Sequence, residues 1–153
     1  MLIRRATATE ATRLTELARI AKASWGYPET WLQAWTAELT IAPQYITAHR
    51  VTVAEVESDV VGMCALERHT KFWMLEHVWI EPAWQRRGIG RALVLDALNA
   101  AAMSARLPLS LVAEPNAAGF YQQLGARQVA VRKAPMEGAA DRVLPVMQFA
   151  APL

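Results

Sequence analysis

The stretch from Val78 to Leu93 constrains the fold more than any other part of the chain. It reads as an apolar strand stopped by Pro82, then a basic, glycine-containing loop from Gln85 to Gly90. A long helix follows to about Ala105, with Leu93, Ala97 and Ala101 on one face, flanked by Val94 and Leu98. The first turn of a helix carries backbone N–H groups without intrahelical partners and a partial positive charge. Glycines remove the side chains that would keep a phosphate from those groups. Arg86, Arg87 and Arg91 add charge-assisted donors at the same mouth. A pyrophosphate is the natural guest.

A bare Gly-x-Gly also shapes ordinary turns, so the pattern alone decides little. Two better-known phosphate motifs are missing. The chain has no G-x-x-x-x-G-K-[ST], and no third glycine completes a dinucleotide fingerprint. What stands instead, from Gln85 to Gly90, is Q-x-x-G-x-G.

The surrounding pattern predicts a mixed α/β domain. Leu2 to Arg5 reads as a first strand, and Leu14, Leu17, Ala18 and Ala21 mark one face of a helix. Gly26 and Pro28 interrupt it, and a second helix is expected from about Glu29 to Leu39, with Pro43 ending the region. Val51 to Val56 and Val60 to Leu66 read as strands joined by Glu57-Ser58-Asp59, and Phe72 to Ile80 as a third strand in the run. Leu109 to Ala113, Val129 to Arg132 and Val143 to Phe149 are further strands. Asn116 to Leu124 is a short helix that Gly125 ends.

Composition narrows the function classes. Apolar residues at 54% and charged residues at 20% of 153 favour one packed domain over disorder. A net charge of +2 is too mild to suggest nucleic-acid binding. No run approaches the roughly 18 apolar residues of a membrane span, and the N-terminus lacks the features of a signal or transit peptide. Cys64, the one cysteine, can make no internal disulfide and no metal cluster, and reads as a small buried hydrophobe. A cytoplasmic protein with no metal, no membrane partner and no nucleic-acid partner is expected.

Two segments, V-W-I-E-P-A-W-Q-R-R-G-I-G-R-A-L from Val78 and Glu114-Pro115-Asn116-Ala117-Ala118-Gly119-Phe120-Tyr121-Gln122-Gln123-Leu124-Gly125-Ala126, closely resemble the GCN5-related N-acetyltransferase (GNAT) superfamily. The first is similar to that family's fourth strand, pyrophosphate loop and third helix; the second to its fifth-strand exit and fourth helix. The resemblance implies one GNAT domain over residues 1–153. Its central mixed sheet would have six to seven strands, the fourth and fifth splayed apart, with about four flanking helices. It also implies acetyl-CoA as cosubstrate. The amides of Arg86, Arg87, Gly88, Ile89, Gly90 and Arg91 and the side chain of Gln85 would hold the pyrophosphate. Val78 and Ile80 would pair with the pantetheine arm through their backbone, and Asn116 would cap the fourth helix and reach toward that arm. Tyr121 matches the tyrosine that often serves as general acid.

Direct attack on a thioester expels a thiolate, which a nearby phenol with a pKa of about 10 can protonate. The attacking amine must also lose a proton. A lysine-like amine is neutral in only about one of 2,500 molecules at pH 7, an α-amine in about one of ten. Period-two alternation places Met74, Glu76, Val78 and Ile80 on one face of the strand and Trp73, Leu75, His77 and Trp79 on the other. Glu76, two before Val78, matches a titratable position in several family members and is the expected base, acting through water. His77 has the better intrinsic pKa but projects oppositely unless a bulge intervenes. Glu67 is a weaker candidate.

By the same resemblance, the first two helices wall the acceptor pocket. Trp25 and Tyr27, at their connection, are expected to line it, while Trp31 and Trp35 are read as core, and Trp73, Trp79 and Trp84 as packing residues. Such walls suit an apolar or aromatic acceptor, or a cation held by ring faces. The expected activity is acetyl transfer to a primary amine of a small molecule, amino acid or peptide. A non-catalytic acyl-CoA-binding sensor, another acyl donor and a hydroxyl acceptor remain as alternatives. A homodimer is compatible with the resemblance, dimers being common among similar proteins.

Overall fold

A seven-stranded mixed sheet runs in the order β1-β2-β3-β4-β5-β7-β6 in a computed structural model that describes residues 1–153. In chain order the elements are β1 (Leu2–Arg5), α1 (Ala11–Ala23), α2 (Glu29–Ala34), α3 (Pro43–Ala48), β2 (Arg50–Val56), β3 (Asp59–Arg68) and β4 (Trp73–Ile80). After these come α4 (Ile89–Ser104), β5 (Leu109–Val112), α5 (Ala118–Gln123), β6 (Arg127–Lys133) and β7 (Val143–Phe149). This is the mixed fold the resemblance implied. The β4–β5 pair is parallel, whereas β1–β2, β2–β3, β5–β7 and β6–β7 are antiparallel.

Two compact units emerge from the contacts. The first comprises Met1–Leu66 with His77–Ala97, and the second Glu67–Glu76 with Leu98–Leu153. In the first, the apolar stripe of α1 lays Leu14 and Leu17 against Ile41, Ile46, Val51, Val53 and Met63, all essentially without solvent exposure. Apolar burial on this scale outweighs the weak intrinsic preferences of the individual elements. In the second, cross-strand pairs fill the interior: Leu109 faces Phe149 and Leu111 faces Met147, all four buried. There β4 pairs with β5 through Trp73↔Leu109 and Met74↔Ser110, the first two residues of the strand.

Three expectations change. The second helix ends at Ala34 rather than near Leu39, and Trp35 to Leu39 continues as turns with Leu39 N–H bonded to Trp35 O at 3.0 Å. Pro43 opens a helix, α3, instead of merely ending a region. Proline suits the first helical position because its missing N–H would have no partner there. The β2–β3 hairpin turns on Glu57 and Ser58 alone, with φ of 50° and 71°, while Asp59 is already paired with Val56. Positive φ at both central residues is the hairpin geometry that matches strand twist.

Candidate active site

The loop after β4 is built from an irregularity in β3. The β2–β3 register passes from Ala54↔Gly62 to Glu55↔Val60, so Val61 is the extra residue of a bulge. Two carbonyls at this bulge are taken up from outside the ladder. Val61 O accepts the Glu81 N–H at 2.8 Å, and Val60 O accepts from the Arg13 guanidinium at 2.9 Å. The same guanidinium reaches the Glu81 carboxylate at 3.1 Å. Glu81 is thereby fixed where β4 ends. Trp84 N–H then bonds to Glu81 O at 2.8 Å, closing the turn that Pro82 starts.

From Gln85 onward the backbone turns into α4 through left-handed residues. Arg86 and Gly88 both sit in the left-handed region, with φ of 62° and 81°. Alternation of this kind turns successive N–H groups toward one side. Ala92 N–H bonds to Gly88 O at 3.0 Å, so the first intrahelical bond of α4 leaves the amides of Ile89, Gly90 and Arg91 without an intrahelical acceptor. The helix dipole adds partial positive charge to them. Arg86, Arg87 and Arg91 are exposed beside these amides, and the Arg87 guanidinium lies 4.8 Å from the Trp84 ring centroid. Trp84 is therefore more than packing: it holds a cation over its face. The Gln85 amide is within 3.4 Å of Ile80 O, tying the loop back to β4.

A residue with no motif signature seats the helix. A Cβ on Gly62 would stand 3.0 Å from Ile80 Cδ1, 3.1 Å from Ile89 Cγ2 and 3.2 Å from Leu93 Cδ1. The missing side chain lets the first turn of α4 lie close on β3. Arg50 of β2 bonds to Asp96 at 3.1 Å, a second tie on the same helix. In sequence Gly62 is one glycine in an apolar strand, and nothing local marks its role.

The two candidate bases differ in exposure. Glu76 is exposed. His77 is half-buried, its Nδ1 accepting the Trp79 Nε1–H at 2.9 Å and its ring 5.8 Å from that of Tyr45. An indole only donates, so the neutral His77 ring carries its proton on Nε2. The Trp79 indole thereby fixes the orientation of the His77 ring. Glu67 is engaged with His69 at 3.1 Å.

In the second unit, Tyr121 on α5 is 7% exposed, with its carbonyl accepting the N–H groups of Leu124 and Ala126 and its ring edge-on to Phe120 at 4.9 Å. Gly125 ends this helix with φ of 107°, a conformation that favours glycine. Asn116 is not a helix cap. It lies in the 3-10 turn Pro115–Ala117, and its side-chain amide donates to Glu114 Oε1 at 2.9 Å. α5 starts two residues later at Ala118, with Ala117 as its N-cap residue and no side-chain cap.

Trp25 and Tyr27 part company. Trp25 is 39% exposed on the turn after α1, whereas Tyr27 packs with Trp31 and Trp35 at ring separations of 5.7 and 5.1 Å. Cys64 is fully buried; loss of hydration pushes its thiol up to about 12, with the Asp96 carboxylate adding to the rise and Arg50 opposing it. No group of three or more His, Cys, Asp or Glu is arranged to hold a metal, and no helix is long and apolar enough to cross a membrane.

Residues 47–125 match the family model of the acetyltransferase (GNAT) domain. No curated protein matches the chain in sequence. Among solved structures, PaiA N-acetyltransferase from Thermoplasma acidophilum, in complex with coenzyme A, superposes with a TM-score of 0.79 at 17% identity, covering 99% of this chain and 98% of that one. The ribosomal-protein-S18-alanine N-acetyltransferase of Escherichia coli gives 0.75 at 15% identity, over 99% and 94%. YncA from Salmonella typhimurium, solved with acetyl-CoA, gives 0.73 at 18% identity, over 100% and 95%. At such identities the likeness establishes the fold, while the family match covers just over half the chain. This chain belongs to the GNAT acetyltransferase family.

Proposed function

We propose that residues 1–153 act as one catalytic domain that transfers the acetyl group of acetyl-CoA to a primary amine of a small molecule, amino acid or peptide. The observation that carries the reading is the loop from Gln85 to Arg91. Its left-handed residues Arg86 and Gly88 lead into a helix whose first amides have no intrahelical acceptor, with three arginines beside them. That arrangement suits the diphosphate of coenzyme A. Solved structures of the same fold contain coenzyme A or acetyl-CoA.

In this reading the backbone edges of Val78 and Ile80 pair with the pantetheine arm, and Asn116, freed from helix capping, serves as a side-chain donor to it. The amine nitrogen attacks the thioester carbonyl, the C–S bond breaks, and Tyr121 supplies a proton to the departing thiolate. Glu76 takes the proton that the amine releases, through water, which its exposed position allows. Tyr27 borders the acceptor, with Trp25 at the rim.

The test is acetyl-CoA consumption over a panel of amines, read as thiol release. Release with at least one amine and none without amine is expected. Tight coenzyme A binding with no release for any amine would instead assign the chain to acyl-CoA sensing.

A further inference from the structure

Three rings in the segment after α1 form a cluster, and two of them, Tyr27 and Trp35, face a cation. Tyr27 follows Gly26, whose φ of 80° turns the chain back after α1. Trp31 stands in α2 and Trp35 one turn later, where its N–H bonds to Trp31 O at 3.0 Å. Tyr27 and Trp31 stack at 5.7 Å and 25°, while Trp35 stands nearly perpendicular to both, at 87° to Tyr27 and 76° to Trp31. Two ring faces at right angles make a corner, and the ammonium of Lys22 lies in it. Its Nζ is 4.3 Å from the Trp35 centroid and 5.1 Å from the Tyr27 centroid.

We propose that this corner is a cation-binding site whose resident Lys22 ammonium gives way to an exogenous quaternary or methylated ammonium. Ring faces attract positive charge through their quadrupoles, and the interaction strengthens when the cation is poorly hydrated. A methylated ammonium sheds water more readily than the primary ammonium of lysine, so it competes well for the same faces. Lys22 lies in the last turn of α1 on a flexible four-carbon stem and can withdraw. The corner favours a charged nitrogen, whereas an attacking amine must be neutral. The group held here is accordingly a recognition handle, distinct from any nitrogen that must be neutral to react. Because Tyr27 also borders the proposed acceptor site, the handle's role rests on the acetyl-transfer reading, whereas choline binding tests the corner without it.

The test is choline binding to the full chain, followed by the indole N–H resonances of the tryptophans at constant ionic strength. The neutral isostere 3,3-dimethylbutan-1-ol serves as the control. Lys22→Ala empties the corner and is expected to bind choline saturably, about fivefold or more tighter than the unmodified protein, because no resident competes. Adding Tyr27→Leu, at a half-buried position, should abolish saturation while the thermal melt stays cooperative. The same comparison with Trp35→Leu covers the second wall should the tyrosine variant unfold. Equal responses to choline and the alcohol, or no tightening in Lys22→Ala, would overturn the proposal and leave the rings a purely structural cluster.

Discussion

Single residues carry the chemistry, and each has a distinct expected phenotype. Tyr121→Phe keeps the ring beside Phe120 and removes the proposed proton donor. It should lower kcat by about 10²-fold while the KM for acetyl-CoA shifts little, as steady-state kinetics would register. An unchanged kcat would remove the acid role. Cys64 offers a second check. With its thiol buried and pushed up to about 12, it should resist a disulfide reagent at about pH 8 and react only on unfolding, as absorbance of the released thiol would report. Legibility at this scale was uneven. The turn at Gly88 was legible because its glycine and flanking arginines form a local run in the chain, and Gly88 does take a left-handed conformation. Gly62 was not legible, since its function is an absence of atoms facing Ile80, Ile89 and Leu93, which only tertiary packing supplies. Asn116 was misread because the motif marks its position in the chain, whereas the partner of its amide is set by Glu114 two residues before.

The loop and α4 behave as one element. Gly88→Ala meets no steric obstacle, yet forces a Cβ into a left-handed conformation at a cost of about 1 kcal/mol. It also places a methyl group beside the amides of the first turn, and coenzyme A affinity should fall by about tenfold in a binding titration. Gly62→Val acts from the other side, pushing the first turn of α4 off β3. Overpacking of that kind costs about 1–3 kcal/mol, measurable in urea, and coenzyme A affinity should fall with it. Retained affinity in a destabilised Gly62→Val protein would mean that the helix start is not positioned from β3. The elements themselves were largely readable, because their apolar periodicities are strong: α1, β4 and β7 fall where expected. The helix at Pro43 was hidden by reading proline only as a terminator, and the shortened α2 by a Trp31–Trp35–Leu39 spacing that turns can satisfy equally well.

At the scale of the molecule, the sheet order was the least legible feature. Strand neighbours such as β5 and β7 are brought together by burial of residues as far apart in the chain as Leu109 and Phe149, which local patterning does not encode. Acid stability is a property of the first unit that follows from its ion pairs. Arg4 of β1 bonds to Glu10 at 2.6 Å and to Glu55 of β2 at 2.8 Å, and its hydrogen bond holds the Glu10 carboxyl below its ordinary value of 4.5. A depressed carboxyl contributes stability above its unfolded pKa, and that contribution disappears as pH falls through the folded value. Glu10→Gln should therefore lower the urea midpoint at neutral pH and flatten its decline below about pH 4.5. An identical pH profile for both proteins would show the pair to be inert.

The proposed grip of the α4 amides on a diphosphate is tested most directly by isothermal titration of coenzyme A into the full chain. Saturable binding of one molecule per chain is expected, weakened by Gly88→Ala and lost with a pantetheine lacking the nucleotide diphosphate. No measurable heat from the folded, unmodified protein at any accessible concentration would contradict acetyl transfer from acetyl-CoA by this fold.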